Sequence, residues 1–137
     1  MRNRPSGERG SPLTSPAQRM SDPRRGEIWL VDLDPTRGSE MKKTRLVLVI
    51  SSDAVGVLPI KLSVPITEWQ PGFANHLWHL QLKPDGRNGL SKISALDVLQ
   101  LRALAVERFI KRKGAATTEV LREVTAALAA VVEHEPE

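Results

Sequence analysis

Cysteine is absent from the chain, so no disulfide framework, thiolate nucleophile or Cys-ligated zinc site can form. Long apolar runs are absent too. The longest, "LVLVI" (46–50), is far short of the roughly 20 residues of a membrane helix. No N-terminal stretch has the apolar centre of a signal peptide, which leads to the expectation of a cytoplasmic protein with no membrane partner. Histidine is scarce: His76, His79 and His134. On an extended segment His76 and His79, three apart, would point to opposite faces and could not share an ion. Asp32 and Asp34 would share a face at a strand end, where solvated turn carboxylates are a better reading than a magnesium site. No Gly-rich phosphate loop is present, and the expectation is a protein without metal or cofactor.

With 137 residues the chain has room for one domain. Its formal net charge of +4 comes entirely from residues 1–25, which hold six arginines against Glu8 and Asp22; the remainder is balanced. Residues 1–23, "MRNRPSGERGSPLTSPAQRMSDP", contain four of the ten prolines and almost no apolar side chains, too few to offset the entropy of ordering. They read as a disordered basic leader, followed by one domain over 24–137. Translation beginning at Met20 is the simpler account of such a leader; a basic arm touching RNA phosphates is the alternative.

From Gly26 the pattern becomes that of short strands. "EIWLVDL" (27–33) is β-branched and aromatic. "RLVLVIS" (45–51) is a continuous apolar run suited to burial on both faces. "VGVLPIKLSVPI" (55–66) carries Pro59 and Pro65, which belong at an edge or bulge. "HLWHLQL" (76–82) alternates, and after "KPDGRNG" two more short strands run through 91–110 to a basic "KRKG". The last element has helical period: Thr117 or Thr118 caps a helix with Val120, Leu121, Val124, Leu128, Val131 and Val132 on one face and Glu119 in its first turn. The predicted architecture is mainly β with one terminal helix, a small barrel crossed by an amphipathic helix. So small a core favours a homodimer.

Between the first two strands lies "RGSEMKKTR" (37–45), five charges of mixed sign beside a Gly-Ser pair. An arginine flanked by backbone donors and small hydroxyls is a receptor for phosphate, and it can stabilise a pentacoordinate phosphorus transition state. Solvated loop charges are the plainer alternative.

These residues also carry a resemblance. "RRGEIWLVDLDPTRGSEMKKTRLVLVISSD" (24–53) closely resembles the opening of the MazF/PemK toxins: a strand, the turn Asp-Pro-x-x-Gly-Ser-Glu, and an arginine entering the next strand. "VPIT" (64–67), "NHLWHL" (75–80), "GLSKISALDVLQLRAL" (89–104) and Arg108 continue the likeness through about residue 133. The resemblance implies a dimeric small SH3-like (CcdB/PemK-like) barrel. It also implies a sequence-specific, metal-independent endoribonuclease that cuts single-stranded RNA, the toxin of a toxin–antitoxin pair. Attack by the RNA 2′-hydroxyl would leave 2′,3′-cyclic phosphate and 5′-hydroxyl ends. The implied partner is a MazE-like antitoxin whose acidic, apolar segment fills the substrate groove.

By the same resemblance Arg45 is the catalytic arginine, stabilising the phosphorane, and Thr67 holds the phosphate by a hydrogen bond. Glu40 takes the 2′-OH proton or neutralises neighbouring cations. Gly38 and Ser39 would offer donors to the RNA, and Lys42 and Lys43 flanking charge. Gln100 would read a base edge, His76 falls at a recurrent family position, and Trp69 is placed to stack on an unstacked base, with Trp29 and Trp78 assigned to the core. Two departures stand out: Leu46 replaces the family's proline, and Arg102-Ala103-Leu104-Ala105 replaces Arg-Thr-x-Asp. A non-catalytic relative, binding RNA or inhibiting gyrase, is the competing reading; retention of both Arg45 and Thr67 favours the nuclease.

Overall fold

The computed structural model describes residues 22–33, 43–55 and 59–136. Outside the described residues lie nearly all of the leader and four of the expected site residues, Gly38, Ser39, Glu40 and Lys42. Among the described residues seven strands precede one helix: β1 (Glu27–Asp32), β2 (Thr44–Val49), β3 (Ile60–Glu68), β4 (His79–Leu82), β5 (Ser94–Asp97), β6 (Arg102–Ala105), β7 (Phe109–Ala115) and α1 (Thr118–Val131). They form one antiparallel sheet in the order β4-β5-β3-β2-β1-β7, with β6 also paired to β3.

Period-2 alternation in β1 and β2 divides the core in two. Ile28 and Leu48, opposite each other in the ladder, join Val64, Ile66, Leu96 and Val98 beneath Val124 and Ala127 of α1. Trp29, Val31, Val47 and Val49 point the other way, against Leu104 and Phe109. Trp29 and Phe109 meet edge to face, centroids 5.9 Å apart. Val47, Leu48 and Val49 are fully buried, as the continuous apolar run predicts for a strand covered on both faces. The fold class is the expected one, mainly β with a terminal helix. The barrel is not closed: among the described residues β4 and β7 each have a ladder partner on one side only.

Pro65 sits inside the central strand without breaking it. On the edge away from β2, residues 60–63 of β3 pair with β6 and residues 66–68 with β5, so Val64 and Pro65 fall between two ladders. No donor is needed there, which gives the expected edge position a local meaning. At the helix start the structure selects Thr117, whose Oγ1 accepts from the Val120 amide at 3.2 Å. Val132, placed on the apolar helix face by its spacing, instead ends the helix and is exposed.

Two residues on the leader side of the boundary read at 23/24 pack against the body. Pro23 is buried, and Asp22 pairs at 3.5 Å with Lys61, itself buried in β3. Asp53 accepts from the Arg25 amide at 2.9 Å. Farther along, Gly89 holds φ +74°, and a Cβ there would lie 2.2 Å from the Lys113 carbonyl oxygen of β7. Gly89→Ala is therefore expected to lower stability by about 2 kcal/mol or more, readable as a fall in the urea midpoint at unchanged slope.

Candidate functional site

The ends of several strands converge on a groove of about 820 Å³. Arg45 stands one residue outside the Leu46↔Ile66 pair that ends the β2–β3 ladder, and Thr67 stands one residue outside it on β3. Both are exposed and line the groove. Lys43 and Arg102 add two further cations, so the walls are positive around the Thr67 hydroxyl. Such walls suit a polyanion.

Leu33 and Lys43, the described residues on either side of segment 34–42, both line the groove and are joined by the Leu33 N–H to Lys43 carbonyl bond of 2.7 Å. Arg108, 76 positions beyond Asp32, donates from Nη1 to the Asp32 carbonyl at 3.0 Å and so ties down the end of β1. Leu46 continues β2 without interruption, pairing with Leu30 on one side and Ile66 on the other. Ala103 and Ala105 pair with Leu62 and Ile60, so the departures from the family pattern there fall on the β3–β6 ladder.

The remaining wall is aromatic and hydrogen-bonded. Phe73 and His79 stack face to face, centroids 3.7 Å apart and 6° from parallel. His79 Nε2 lies 3.5 Å from Asp97 Oδ2, and the same carboxylate oxygen accepts from Gln100 Nε2 at 2.8 Å. His76 and His79 face each other through their Nδ1 atoms at 2.9 Å, and His76 stacks on Trp78 at 4.4 Å. One of the two Nδ1 atoms must carry a proton and the other accept it. In a neutral His79 whose Nε2–H is turned to the carboxylate, Nδ1 would accept and His76 would donate; in an imidazolium the direction is reversed.

Of the residues expected at the site, Arg45, Thr67, Lys43 and Gln100 are brought together as lining of this groove. Three readings change. His76 and His79 are not on opposite faces of one strand, because β4 begins only at His79, after a 3-10 helix over Pro71–Asn75 and a turn at residues 77–78. Trp78, assigned to the core, lines the groove. Trp69, assigned to the groove, is not among its lining residues; it packs edge to face on Phe73, which is. Trp29 is core, as expected. His76 reaches the groove only through its contacts with His79 and Trp78.

Phe73, His79 and Asp97 were not legible as site residues. The available signal was an acid inside the apolar run "SALDVL": a carboxylate in a fully buried strand requires partners. Among the described residues no group of three or more His, Cys, Asp or Glu side chains is arranged to hold a metal ion.

Comparison with known proteins places this geometry. The sequence model of the family described as "PemK-like, MazF-like toxin of type II toxin-antitoxin system" matches residues 24–132. The endoribonuclease MazF9 of Mycobacterium tuberculosis is 32% identical over 108 residues, covering 77% of this chain and 92% of that protein. The endoribonuclease PemK of Escherichia coli is 49% identical over 51 residues, 36% of this chain and 38% of its own length. Among solved structures, a MazE-MazF complex from Deinococcus radiodurans superposes with a TM-score of 0.67 at 22% identity, covering 83% of this chain and 99% of the other. The M. tuberculosis toxin MazF-mt6 gives 0.64 at 18%, covering 80% and 99%. At such identities the structural likeness speaks for the fold.

Proposed function

The chain belongs to the PemK-like, MazF-like toxins of type II toxin–antitoxin systems, and from that premise we propose that its groove cuts single-stranded RNA without a metal ion. The coarse activity, endoribonuclease and toxin, follows from family membership. The finer mechanism rests on one observation: Arg45 and Thr67 line the same cationic groove with Lys43 and Arg102. The RNA 2′-oxygen attacks the adjacent phosphorus while the bond to the 5′-oxygen breaks, leaving a 2′,3′-cyclic phosphate and a 5′-hydroxyl. A proton leaves the 2′-oxygen and one is gained by the departing 5′-oxygen. Because the nucleophile belongs to the substrate, neither a Ser-His pair nor a metal-bound water is needed.

Arg45 offers forked, permanently charged donors to the phosphorane oxygens, and Thr67 holds a non-bridging oxygen. Glu40 is assigned the 2′-OH proton. Gly38, Ser39 and Lys42, on the loop whose two ends line the groove, are assigned to the phosphates beside the cut. A MazE-like antitoxin with an acidic, apolar segment suits the same surface, where cations alternate with Phe73, Trp78 and Leu99. Ile60 and Leu62, exposed on β3 beside Ala103 of β6, support the proposal of a homodimer. The site of action is the cytoplasm, where mRNA is translated. Among the described residues no helix is long and apolar enough to cross a membrane.

The deciding experiment incubates the purified protein with a long, mixed-sequence RNA in excess EDTA and types the fragment ends. Discrete cuts with cyclic phosphate and 5′-hydroxyl ends are expected. Intact RNA beside a folded protein would favour the binding or gyrase-directed alternative. In the same assay, deletion of residues 1–19 is expected to leave the cleavage rate within about twofold, since Asp22 and Pro23, the first packed residues among those described, are retained. Weaker RNA binding with a shallower salt dependence would instead make the leader an RNA-binding arm.

A further inference from the structure

Asp97 does not face RNA phosphate in any simple way. It is a carboxylate in a cationic groove, 8% exposed, and the end of β5 holds it in place. Its Oδ2 accepts from Gln100 Nε2 at 2.8 Å and lies 3.5 Å from His79 Nε2. His79 in turn is clamped between Phe73, parallel at 3.7 Å, and His76 at 2.9 Å. Gln100 itself is exposed and lines the groove wall.

A glutamine amide is nearly symmetric in shape, and a half-turn exchanges its oxygen and nitrogen. An ionised carboxylate only accepts, so Asp97 admits one of the two orientations: Nε2 toward the carboxylate, Oε1 away from it. The buried network behind Asp97 makes this orientation rigid. The orientation matters to an unstacked base. Adenine and cytosine carry an amine beside a bare ring nitrogen; guanine and uracil carry a carbonyl beside a ring N–H. In a fixed pose the two classes require opposite orientations of one amide.

Resting on the RNA-cleaving reading of this groove, we propose that Asp97 is a specificity-determining positioning residue. It locks the Gln100 amide so that one subsite distinguishes amino-bearing bases (adenine, cytosine) from keto-bearing bases (guanine, uracil). Asp97 acts through Gln100 and makes no contact with the RNA. Asparagine at position 97 presents either an oxygen or an amine to Gln100, so the lock is released with little change in shape.

The test maps cleavage preferences on a randomised single-stranded RNA pool for the wild type, Asp97→Asn, Gln100→Ala and the double variant, with folding of each checked by thermal melting. The wild type is expected to discriminate amino from keto bases by at least about tenfold at one position of its motif. Asp97→Asn and Gln100→Ala are each expected to lose that discrimination at the same position, and the double variant to lose no more than either. The ratio of preferences is the readout because a merely destabilised protein cuts all sequences less without changing it. Retained preference in folded Asp97→Asn overturns the proposal. So does retained preference in Gln100→Ala that melts as a folded protein, the melting control being needed because the change also removes a donor from the buried Asp97 carboxylate.

The same four proteins are also run through selection on a 2′-O-methyl pool, which can be bound but not cut. If the wild type cuts nothing yet its bound pool shows the preference and both variants lose it, the cleavage reading fails and the positioning role stands. A wild type that cuts but shows no amino–keto preference sinks the positioning role alone. One that neither binds nor cuts RNA sinks both.

Discussion

Arg45→Ala is expected to reduce RNA cleavage by about a thousandfold or more while leaving the thermal midpoint within a few degrees. The two halves of that expectation have separate causes. Removing a charged donor from a developing phosphorane costs on the order of 10²–10³ in rate for a single such group. A forked guanidinium that also neutralises substrate charge stands at the upper end. The fold should not notice, because Arg45 is exposed at the open end of the β2–β3 ladder, outside both core clusters. Among the described residues its side chain donates one hydrogen bond, to the neighbouring Thr44 carbonyl at 3.4 Å. Arg45→Lys separates charge from geometry: it keeps the positive charge and loses the fork, so only partial recovery is expected. Single-turnover cleavage with circular dichroism on the same samples decides the matter. Wild-type rates in Arg45→Ala would remove Arg45 from the mechanism.

Thr67→Val is expected to lower the cleavage rate by about a hundredfold, with a smaller effect on RNA binding. Valine keeps the β-branched shape suited to β3, where Thr67 stands opposite Ala95, so the backbone ladder is retained. What is lost is one hydroxyl on the groove wall. A threonine is a poor base, so a drop confined to the chemical step with little change in KM fits a hydrogen bond that strengthens as charge builds on phosphate oxygen. Thr67→Ser, which retains the hydroxyl, should restore most of the rate. A loss in KM alone would place Thr67 in ground-state RNA binding.

Most strands and the helix were legible because their signals are local. Alternation in 27–33, the unbroken run at 46–50 and the three- and four-residue spacing after Thr117 each express a neighbour's burial in the order of the chain itself. Where reading and structure part, the cause is a boundary or a partner. "HLWHLQL" alternates as one strand would, yet its first three residues follow a 3-10 turn and the strand begins at His79. That displacement brings His76 and His79 together and puts Trp78 on the groove wall. A seventh strand emerged because "KRKG" continues β7, pairing with β1 rather than ending the region.

By itself the sequence determined the mainly β architecture with its capped terminal helix. It also determined the family, and it singled out Arg45 and Thr67 as the proposed reacting pair, both of which lie near strand ends. Only the tertiary structure decided what surrounds them. His79 and Asp97 are 18 positions apart and become partners solely through the β4–β5 register. Gln100, legible as a groove residue, acquires a defined amide orientation only from that carboxylate. Backbone propensity and burial act over a few neighbouring residues and are written along the chain. A hydrogen-bond network across a groove depends on which strands pair and in what register, and the free energy that sets this comes from the whole core.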